Sequence, residues 1–354
     1  MTGWSWTTYP KDTGAAIGLV GDTNIQGRAD PAAAFAHVAE TLAGFDAMVG
    51  QWECPLVETP APGGDISFKA RWTHSTPDMA RALPAGNFKA VSCASNVAYP
   101  PEAALSTRRH LDALGIPNAG TGATRAEARS PARFEVRGQR VALLSYTSVF
   151  WPIEQPATET TPGVATIRAH TGYSPGRRAL EMPGAAPEIH TWADPAELAA
   201  LQADIHAAKA QADLVILACH WGVSSQEEIT AYQREIARAA VDAGAGLIYG
   251  THPHRIQGIE MIDGVPVFYS LGNFAFDWEK MRGRHVDGLL ARCIVEDGRV
   301  AEASVVPVRR GADNAVALLD PSGEEAAAVV ARTSELSAEF GTRLETAGRE
   351  VRLR

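Results

Sequence analysis

Side chains that can bind a metal ion stand at the ends of several apolar runs in this sequence. Four runs, each typical of a buried strand, finish on one of these residues: Asp22, Glu53, Asn96 and His220. A fifth run leads into His252 and His254, and in an extended backbone this spacing would point both imidazoles to the same side. Because ligands of open α/β sheets collect at the carboxyl ends of strands, we expect the six side chains to converge.

The six side chains form a donor set that suits divalent metal ions. Two carboxylates, one carboxamide and three imidazoles match borderline ions such as Mn, Zn or Fe, and one carboxylate can bridge two ions. A single Asp or Asn at a strand end is more often a turn former or a helix cap, and a single histidine can equally belong to the core. Their recurrence at five runs favours a site for two divalent metal ions.

Five blocks of the sequence resemble, in order, those of the CapA or poly-γ-glutamate capsule-biosynthesis family of the calcineurin-like metallophosphoesterase superfamily. The blocks are GDTNIQGR (21–28), GQWECPL (50–56), VSCASNVAYP (91–100), ACHWGVS (218–224) and GTHPHRIQGIEMIDGVPVFYSLGNFAFD (250–277). The resemblance implies an α/β fold, a metallophosphatase-like sandwich whose mixed sheets are flanked by helices. It also implies a dinuclear metal site at the C-terminal ends of the strands.

The same resemblance implies a role for each ligand. The implied ligands are Asp22 and His254 for the first ion, Asn96, His220 and His252 for the second, and Glu53 as a bridge between them. As the bridging ligand, Glu53 is also a candidate catalytic residue. Asn273 matches a motif that closes one side of the pocket, although a turn at a hairpin exit explains this asparagine equally well.

Two positions depart from the family pattern. The family has Asn-Asn-His in the third block where this chain has Ser95, Asn96 and Val97, so valine replaces the histidine that protonates a leaving group. The wider superfamily has Asp-x-His in the first block, and this chain has Asn24 in place of that histidine. Ser95 and Asn24 remain candidates beside the ligands. These departures argue against the cleavage of phosphodiesters with poor alkoxide leaving groups.

Several basic or aromatic residues are candidates to contact a substrate. Arg28, Lys69, Arg71 and His74 can bind an anionic group, the arginines by a bidentate fork, although an exposed basic loop is the alternative. His74 is also the candidate for the missing acid. Trp151 stands at the start of a long loop and is a candidate wall or lid of the pocket.

The elements that must position these residues follow a βαβ pattern. Short apolar runs alternate with amphipathic segments near 31–44, 101–114, 195–211 and 226–243, which predict helices. Hairpins are expected to turn at three pairs that end in glycine, at 137–138, 263–264 and 297–298.

One domain is expected over residues 1–320. Within it, residues 152–195 are rich in proline and lack periodicity, so we expect an irregular insertion on the surface. Residues 321–354 are expected to form a C-terminal helical extension packed on the domain, with its helix ending at Gly341.

Composition limits the functional classes. The chain has 354 residues and a formal net charge of −9, which argues against a nucleic-acid partner. Its four cysteines are spread singly, as is typical of reduced core thiols. The sequence lacks a signal-like start and an apolar stretch near ~20 residues, so we expect a cytoplasmic protein without a membrane anchor. Nothing in the sequence indicates an oligomeric state.

Together these features predict a metal-dependent hydrolase of the CapA-like family. A metal-bridging hydroxide would attack a small anionic molecule at a phosphoester or at an amide of the γ-glutamyl type. The alternative, favoured by Val97 and Asn24, is a catalytically impaired metal-binding or scaffold protein in polyglutamate or capsule biosynthesis. The complete ligand set favours the enzyme, because buried carboxylates and imidazoles are costly without a metal.

Overall fold

Two mixed β-sheets face each other, and helices cover the outer face of each. The computed structural model describes residues 14–58, 73–320, 322–347 and 350–354. The expected α/β fold, with mixed sheets flanked by helices, is confirmed.

The first sheet is built around strands that run parallel to each other. Its strands are β1 (Ala15–Asn24), β2 (Ala47–Trp52), β3 (Phe88–Ser92), β4 (Asn118–Ala119), β15 (Asn273–Phe276), β16 (Asp287–Glu296), β17 (Arg299–Arg310), β18 (Val316–Leu318), β19 (Leu344–Ala347) and β20 (Glu350–Leu353). The order is β19-β20-β17-β16-β1-β2-β3-β4, with β15 beside β1 and β18 beside β17. Because β1 to β4 and β15 are parallel, their carboxyl ends share one edge.

The second sheet also has a parallel centre. Its strands are β6 (Ala132–Val136), β7 (Gln139–Thr147), β11 (Leu214–His220), β12 (Leu247–Thr251), β13 (Ile259–Ile262) and β14 (Val265–Phe268), in the order β13-β14-β12-β11-β7-β6. Only the outer strands β6 and β13 run antiparallel to their neighbours. Two small sheets pair β5 (Thr121–Gly122) with β8 (Gly163–Val164), and β9 (Ala169–Ser174) with β10 (Glu188–Ala193).

The helices follow the predicted segments closely. They are α1 (Ala39–Ala43), α2 (Ala82–Ala85), α3 (Pro101–Ala113), α4 (Arg125–Ala128), α5 (Pro195–Lys209), α6 (Ala231–Asp242) and α7 (Glu324–Ser337). The segment 31–44 is divided between a 3-10 helix, Pro31–Phe35, and α1. Helix α6 begins five residues later than expected, because Thr230 and Gln233 form a capping box at its start.

Three apolar clusters connect the two sheets with each other and with the helices on their outer faces. Ile17 and Ile216 belong to the cluster between the sheets, Ile205 and Ile236 to the cluster under α5 and α6, and Leu111 to the cluster between the first sheet and its helices. Each such side chain contributes about 1.5–3 kcal/mol when fully buried. The sheet edges that carry the polar ligands are therefore stabilised by the apolar core packed between and around the sheets.

All three predicted hairpins are confirmed. They join β6 to β7, β13 to β14 and β16 to β17. In the turn at 263–264, Asp263 and Gly264 have φ angles of 50° and 83°. Two positive φ angles are the signature of the tight primed turns that suit twisted strands.

Two segments contain more regular structure than expected. Residues 152–195 include β8 and the hairpin of β9 and β10, so the insertion is irregular only in part. The segment 321–354 contains the expected helix α7, and Gly341, with a φ of 72°, ends the helical stretch. The same segment also contains β19 and β20, which extend the first sheet. These strands were not part of the expected helical extension.

The four cysteines agree with the expectation of reduced core thiols. Cys54, Cys93, Cys219 and Cys293 are buried and free. Burial raises the pKa of the Cys54 thiol to about 12, so this thiol stays protonated at neutral pH. None of the described helices combines the length and apolar character needed to cross a bilayer.

Candidate metal centre

The six side chains expected to converge lie where the carboxyl edges of the two sheets meet. From the first sheet come Asp22 in β1, Glu53 after β2 and Asn96 after β3. From the second sheet come His220 at the end of β11, and His252 and His254 after β12. Each sheet therefore supplies half of the cluster.

A local irregularity of β1 aims Asp22 at the second sheet. The register of β1 shifts at Asp22 against both β2 and β15. A Cβ atom at Gly21 would lie 1.8 Å from the carbonyl oxygen of Gly272, so only glycine permits this approach. The backbone N–H of Asp22 donates to that same oxygen at 3.1 Å, and Asp22 Oδ2 accepts the backbone N–H of His252 at 3.0 Å.

Glu53 is fixed through its backbone by the strand that carries Asp22. The N–H of Glu53 donates to the Thr23 carbonyl at 2.9 Å, and the Asn24 carboxamide donates to the Glu53 carbonyl at 2.7 Å. Asn24 therefore positions the backbone of Glu53. Its own Oδ1 atom is buried and accepts no hydrogen bond from any residue in the described part of the chain, so this oxygen is available as a donor to a cation.

The loop that carries Asn96 is held by a side chain from a distant segment. Gln155 is fully buried, and its Nε2 lies 3.0, 3.1 and 3.2 Å from the carbonyl oxygens of Ser95, Asn96 and Ala98. One amide shared among three carbonyls leaves this loop little freedom. Gln155 therefore fixes the position from which the Asn96 side chain extends.

His220 lies at the centre of the cluster. Its Nδ1 atom lies 3.0 Å from Thr251 Oγ1, and its Nε2 atom lies 2.8 Å from Asn96 Oδ1. Carboxylate oxygens approach both ring nitrogens: Asp22 Oδ1 lies 3.8 Å from Nδ1, and Glu53 Oε1 lies 3.7 Å from Nε2. Spacings of about 3–4 Å are those of neighbouring donors around one ion with bonds near 2 Å.

Burial keeps the His220 imidazole neutral. Desolvation lowers the pKa of His220 well below its usual value, and the nearby imidazoles of His252 and His254 lower this pKa further. A neutral imidazole is the form that binds a metal ion.

His252 and His254 converge by a route other than the expected one. The prediction of an extended backbone was wrong, because β12 ends at Thr251 and the two histidines have φ angles of 91° and 57°. Such backbone conformations are costly for residues other than glycine and concentrate at functional sites. The turn around Pro253 brings the two rings to 5.8 Å between centroids, and the His252 ring lies 4.8 Å from that of His220.

Asn273 orients the His254 ring. Its Oδ1 atom lies 2.9 Å from His254 Nδ1, and its Nδ2 atom donates to the carbonyl of His285 at 3.1 Å. With its amide oriented in this way, Asn273 accepts the Nδ1 proton and leaves His254 Nε2 as the atom with a lone pair. This is the usual support of a metal-binding histidine by a neighbouring acceptor.

The donor set fits divalent metal ions. Two trios offer ligand atoms that lie within 4.8 Å of one another: Asp22, Glu53 and His220, and Glu53, His252 and His254. Asp22 Oδ1 is buried and accepts no hydrogen bond within the described residues, which is costly for an anionic oxygen without a cation. Glu53 belongs to both trios, which is the geometry that a bridging carboxylate needs.

The trios divide the ligands differently from the family resemblance. The resemblance placed Asp22 with His254, whereas the trios group Asp22 with His220. Asp22 Oδ2 nevertheless lies 3.5 Å from His254 Nδ1, so the Asp22 carboxylate contacts histidines of both groups.

Arg28 has a partner within the fold. Its Nε and Nη2 atoms each lie 2.7 Å from an oxygen of the Asp277 carboxylate, and Nη2 also donates to the Asn314 carbonyl at 2.9 Å. This bidentate pair leaves Arg28 few donors for a substrate. Lys69 and Arg71 lie outside the described residues.

His74 is likewise engaged in a structural contact. Its Nε2 atom donates to the Tyr99 carbonyl at 2.8 Å, and desolvation lowers the pKa of the imidazole below its usual value. A neutral ring with this proton bound to a backbone carbonyl is poorly prepared to protonate a leaving group. Its role as the acid stays a prediction.

The remaining candidates lie around the Asn96 loop. Ser95 is fully buried, Val97 is 8% exposed, and the half-buried Trp151 donates its backbone N–H to the side-chain oxygen of Gln155 at 2.7 Å. The start of the long insertion is therefore bound to the loop that carries Asn96.

Sequence reasoning missed two residues that support the cluster. Gln155 lies in a proline-rich stretch, where nothing in the pattern marks it. Thr251 precedes His252 directly, and its position between a strand and two histidines was the available signal for its contact with His220.

A two-sheet sandwich whose shared edge holds buried carboxylates, imidazoles and a carboxamide defines an α/β protein with a candidate metal centre. The chain belongs to the family described as bacterial capsule synthesis protein PGA_cap, whose model matches residues 10–278. The resemblance recognised in the sequence is thereby confirmed.

Relatives of known sequence support this membership. The chain is 28% identical over 283 residues to the protein y4sH of Sinorhizobium fredii, covering 69% of this chain and 61% of that protein. It is 26% identical over 278 residues to the capsule biosynthesis protein CapA of Bacillus anthracis, covering 77% of this chain and 60% of that protein. The chain thus spans about 60% of the length of these relatives.

Solved structures show only a distant likeness. The NAD nucleotidase NadN of Haemophilus influenzae has a TM-score of 0.43 at 12% identity, covering 91% of this chain and 62% of that chain. The 5′-nucleotidase of Candida albicans has a TM-score of 0.43 at 10% identity, covering 92% and 58%. Likeness at this level transfers no property to this chain.

Proposed function

We propose that this chain is a hydrolase that depends on two divalent metal ions and acts on a small anionic molecule. The observation that carries the proposal is the position of Glu53, which belongs to both metal-competent trios. A carboxylate shared in this way would offset the repulsion between two bound cations.

The chain's own residues prepare the site for this chemistry. Bound divalent ions would supply Lewis acidity to the scissile group and a lowered pKa to the attacking water. Thr251 and Asn273 contact the Nδ1 atoms of His220 and His254 and so fix the direction of both rings. Asn24 holds the backbone of Glu53. The site is therefore organised before a substrate arrives.

The bond that is cleaved is a phosphoester or an amide of the γ-glutamyl type. Val97 offers no proton, and the Nε2 proton of His74 is donated to the Tyr99 carbonyl. The substrate that fits best is therefore one whose leaving group departs without a positioned acid.

A metal-binding or scaffold role in capsule or polyglutamate biosynthesis is the second candidate. The same two observations favour it, since a site that cannot protonate a leaving group can still hold ions and bind a polymer. The name of the Bacillus anthracis relative, a capsule biosynthesis protein, points in this direction.

Hydrolysis assays of the purified protein distinguish these roles. Protein loaded with Mn, Zn or Fe is offered an aryl phosphate, a diaryl phosphate and a γ-glutamyl anilide. If the protein is a hydrolase, it turns over at least one of these compounds. This activity is lost on chelation, returns when metal is added, and is absent in Glu53→Gln. Bound metal without turnover of any compound would instead support the scaffold.

A further inference from the structure

A cavity of about 350 Å³ lies beside the metal centre. Its walls come from the segment of His254 and Arg255, the segment of His285, strand β17 and helix α7. This volume is at the lower end of the range of small-molecule sites, about 300–1,000 Å³. Because His254 also belongs to the metal cluster, the cavity adjoins the candidate site of hydrolysis.

The lining of the cavity is rich in guanidinium groups. Three arginines, Arg255, Arg309 and Arg332, line it together with two carboxylates, those of Glu227 and Asp287. Glu325 and Glu335 also contact Arg309 and Arg332, so an anion would be held by hydrogen bonds from guanidinium groups and not by an excess of positive charge.

The carboxylate of Glu227 accepts hydrogen bonds from two of these arginines. Glu227 Oε1 accepts from Arg255 Nε at 3.0 Å, and Glu227 Oε2 accepts from Arg332 Nε at 2.9 Å. The Glu227 side chain is 19% exposed, so it holds both guanidinium groups from below the surface. Arg332 has a second carboxylate partner, because its Nη1 atom donates to Glu335 Oε2 at 2.5 Å, so these two arginines and two carboxylates balance in charge.

Two guanidinium groups keep unused donors. Arg309 Nε donates to Asp287 Oδ1 at 2.6 Å, and its Nη1 atom contacts Glu325. Neither Arg309 Nη2 nor Arg255 Nη1 donates a hydrogen bond to another residue in the part of the chain that the structure describes. Fixed arginines with spare N–H groups are suited to carboxylate or phosphate.

The cavity also has an apolar side. Ile256, Val286 and Val329 contribute to its lining. A ligand with an anionic group and an apolar carbon chain fits such a cavity, because the guanidinium groups can bind the anion while the apolar side chains contact the carbon chain.

Most of the residues that line the cavity lie beyond the region matched by the family model. The family model ends at residue 278, whereas Arg309 and Arg332 come from later residues. The segment that follows the matched region therefore supplies these two arginines.

We propose that this cavity binds a second anionic group of the substrate, a carboxylate or a phosphate remote from the scissile bond. Arg255 and Arg309 donate to that group, and Glu227 and Asp287 hold the two arginines in place. The substrate class is thus an organic molecule with an anionic end several bonds from the group attacked at the metal centre. The inference rests on the proposed hydrolase function.

Titration calorimetry with two probes tests the site directly. Inorganic phosphate and glutarate are titrated into metal-loaded wild-type protein and into Arg255→Gln and Arg309→Gln. The matched control is Arg238→Gln, which removes an arginine paired with Asp263 outside the cavity. Loss of one charge-assisted donor weakens binding by roughly tenfold or more.

The expected result is weaker binding in both cavity variants and unchanged binding in Arg238→Gln. The tighter probe then identifies the anionic group. If neither probe binds the wild type, or if both cavity variants bind the probes as the wild type does, the cavity is not an anion site. Equal losses in Arg238→Gln would also overturn the proposal, because they indicate general charge attraction. Failure of the hydrolase proposal is detected separately, by absent turnover.

Discussion

Asn96 Oδ1 and His220 Nε2 lie 2.8 Å apart, although the two residues come from different sheets. Asn96 follows β3 of the first sheet, and His220 ends β11 of the second. The spacing between two candidate ligands is therefore set by how the sheets pack on each other. Residues that fix this packing near the edge should control metal affinity as strongly as the ligands themselves.

Gln155 offers the first prediction, because it anchors the Asn96 loop. Replacing Gln155 by leucine leaves the carbonyls of Ser95, Asn96 and Ala98 without their buried donor. We expect the free energy of unfolding to fall by about 1–3 kcal/mol and metal affinity to fall by about 10–100-fold. Urea unfolding and metal titration measure the two effects. The exposed Gln211→Leu is the control, and equal behaviour of the two variants would show that Gln155 does not support the site.

Substitutions of Glu53 and of Asn24 should change metal binding in different ways. Glu53→Gln removes a charge that both trios share, so we expect the loss of both ions. Asn24→Ala removes one hydrogen bond to the Glu53 backbone and one neutral oxygen, so we expect weaker binding with the stoichiometry kept. Competition titrations with a metal indicator compare the variants. The reverse ranking would contradict a bridging role for Glu53.

His74 should make the protein sensitive to acid. Its pKa is lowered in the folded state, so below pH 6.5 the unfolded chain binds more protons than the folded chain, and stability falls as pH decreases. In His74→Gln an amide can donate to the Tyr99 carbonyl without titrating. We expect the loss of unfolding free energy between pH 7.5 and 5.5 to be smaller in His74→Gln than in the wild type.

Urea unfolding at the two pH values measures this loss. Gln211→Leu, which changes an exposed side chain without a titratable group, is the control and should keep the wild-type slope. An unchanged slope in His74→Gln would mean that His74 is protonated in the folded protein.

Val97 should decide which leaving groups are tolerated. Without a positioned acid, we expect an aryl phosphate to be cleaved faster than an alkyl phosphate by more than their intrinsic difference, since a general acid contributes about 10²–10⁴-fold. Val97→His should narrow this gap. Rates for both substrates with both proteins provide the measurement. If the wild type cleaves alkyl and aryl phosphates equally well, the proton comes from another source.

The ends of strands could be predicted from sequence, while the contacts between distant segments could not. Apolar runs that finish on Asp22, Glu53 and His220 are local patterns, and the parallel sheets bring their ends together. Gln155 supports the site from a proline-rich stretch without periodicity, so only the folded chain reveals its three carbonyl partners. The positive φ angles of His252 and His254 were missed for a related reason. Their cost is offset by tertiary contacts that no local pattern records.

Substrate contacts were the least predictable part. Arg28 is basic and close in sequence to Asp22, yet its carboxylate partner, Asp277, lies far along the chain. Arg309 and Arg332 were not among the predicted site residues, because they belong to a strand and a helix outside the blocks that resemble the family. Which arginines face a cavity depends on how the C-terminal segment packs.

Elemental analysis of the purified protein tests the central claim most directly. Wild-type protein, the double variant His252→Ala/His254→Ala and the control His37→Ala/His206→Ala, which changes exposed histidines, are dialysed against the same metal buffer and analysed. The account predicts up to two divalent ions per chain in the wild type and in the control, and a clear loss in the cluster variant. Near-zero metal in all three proteins, or equal metal in all three, would contradict the metal centre.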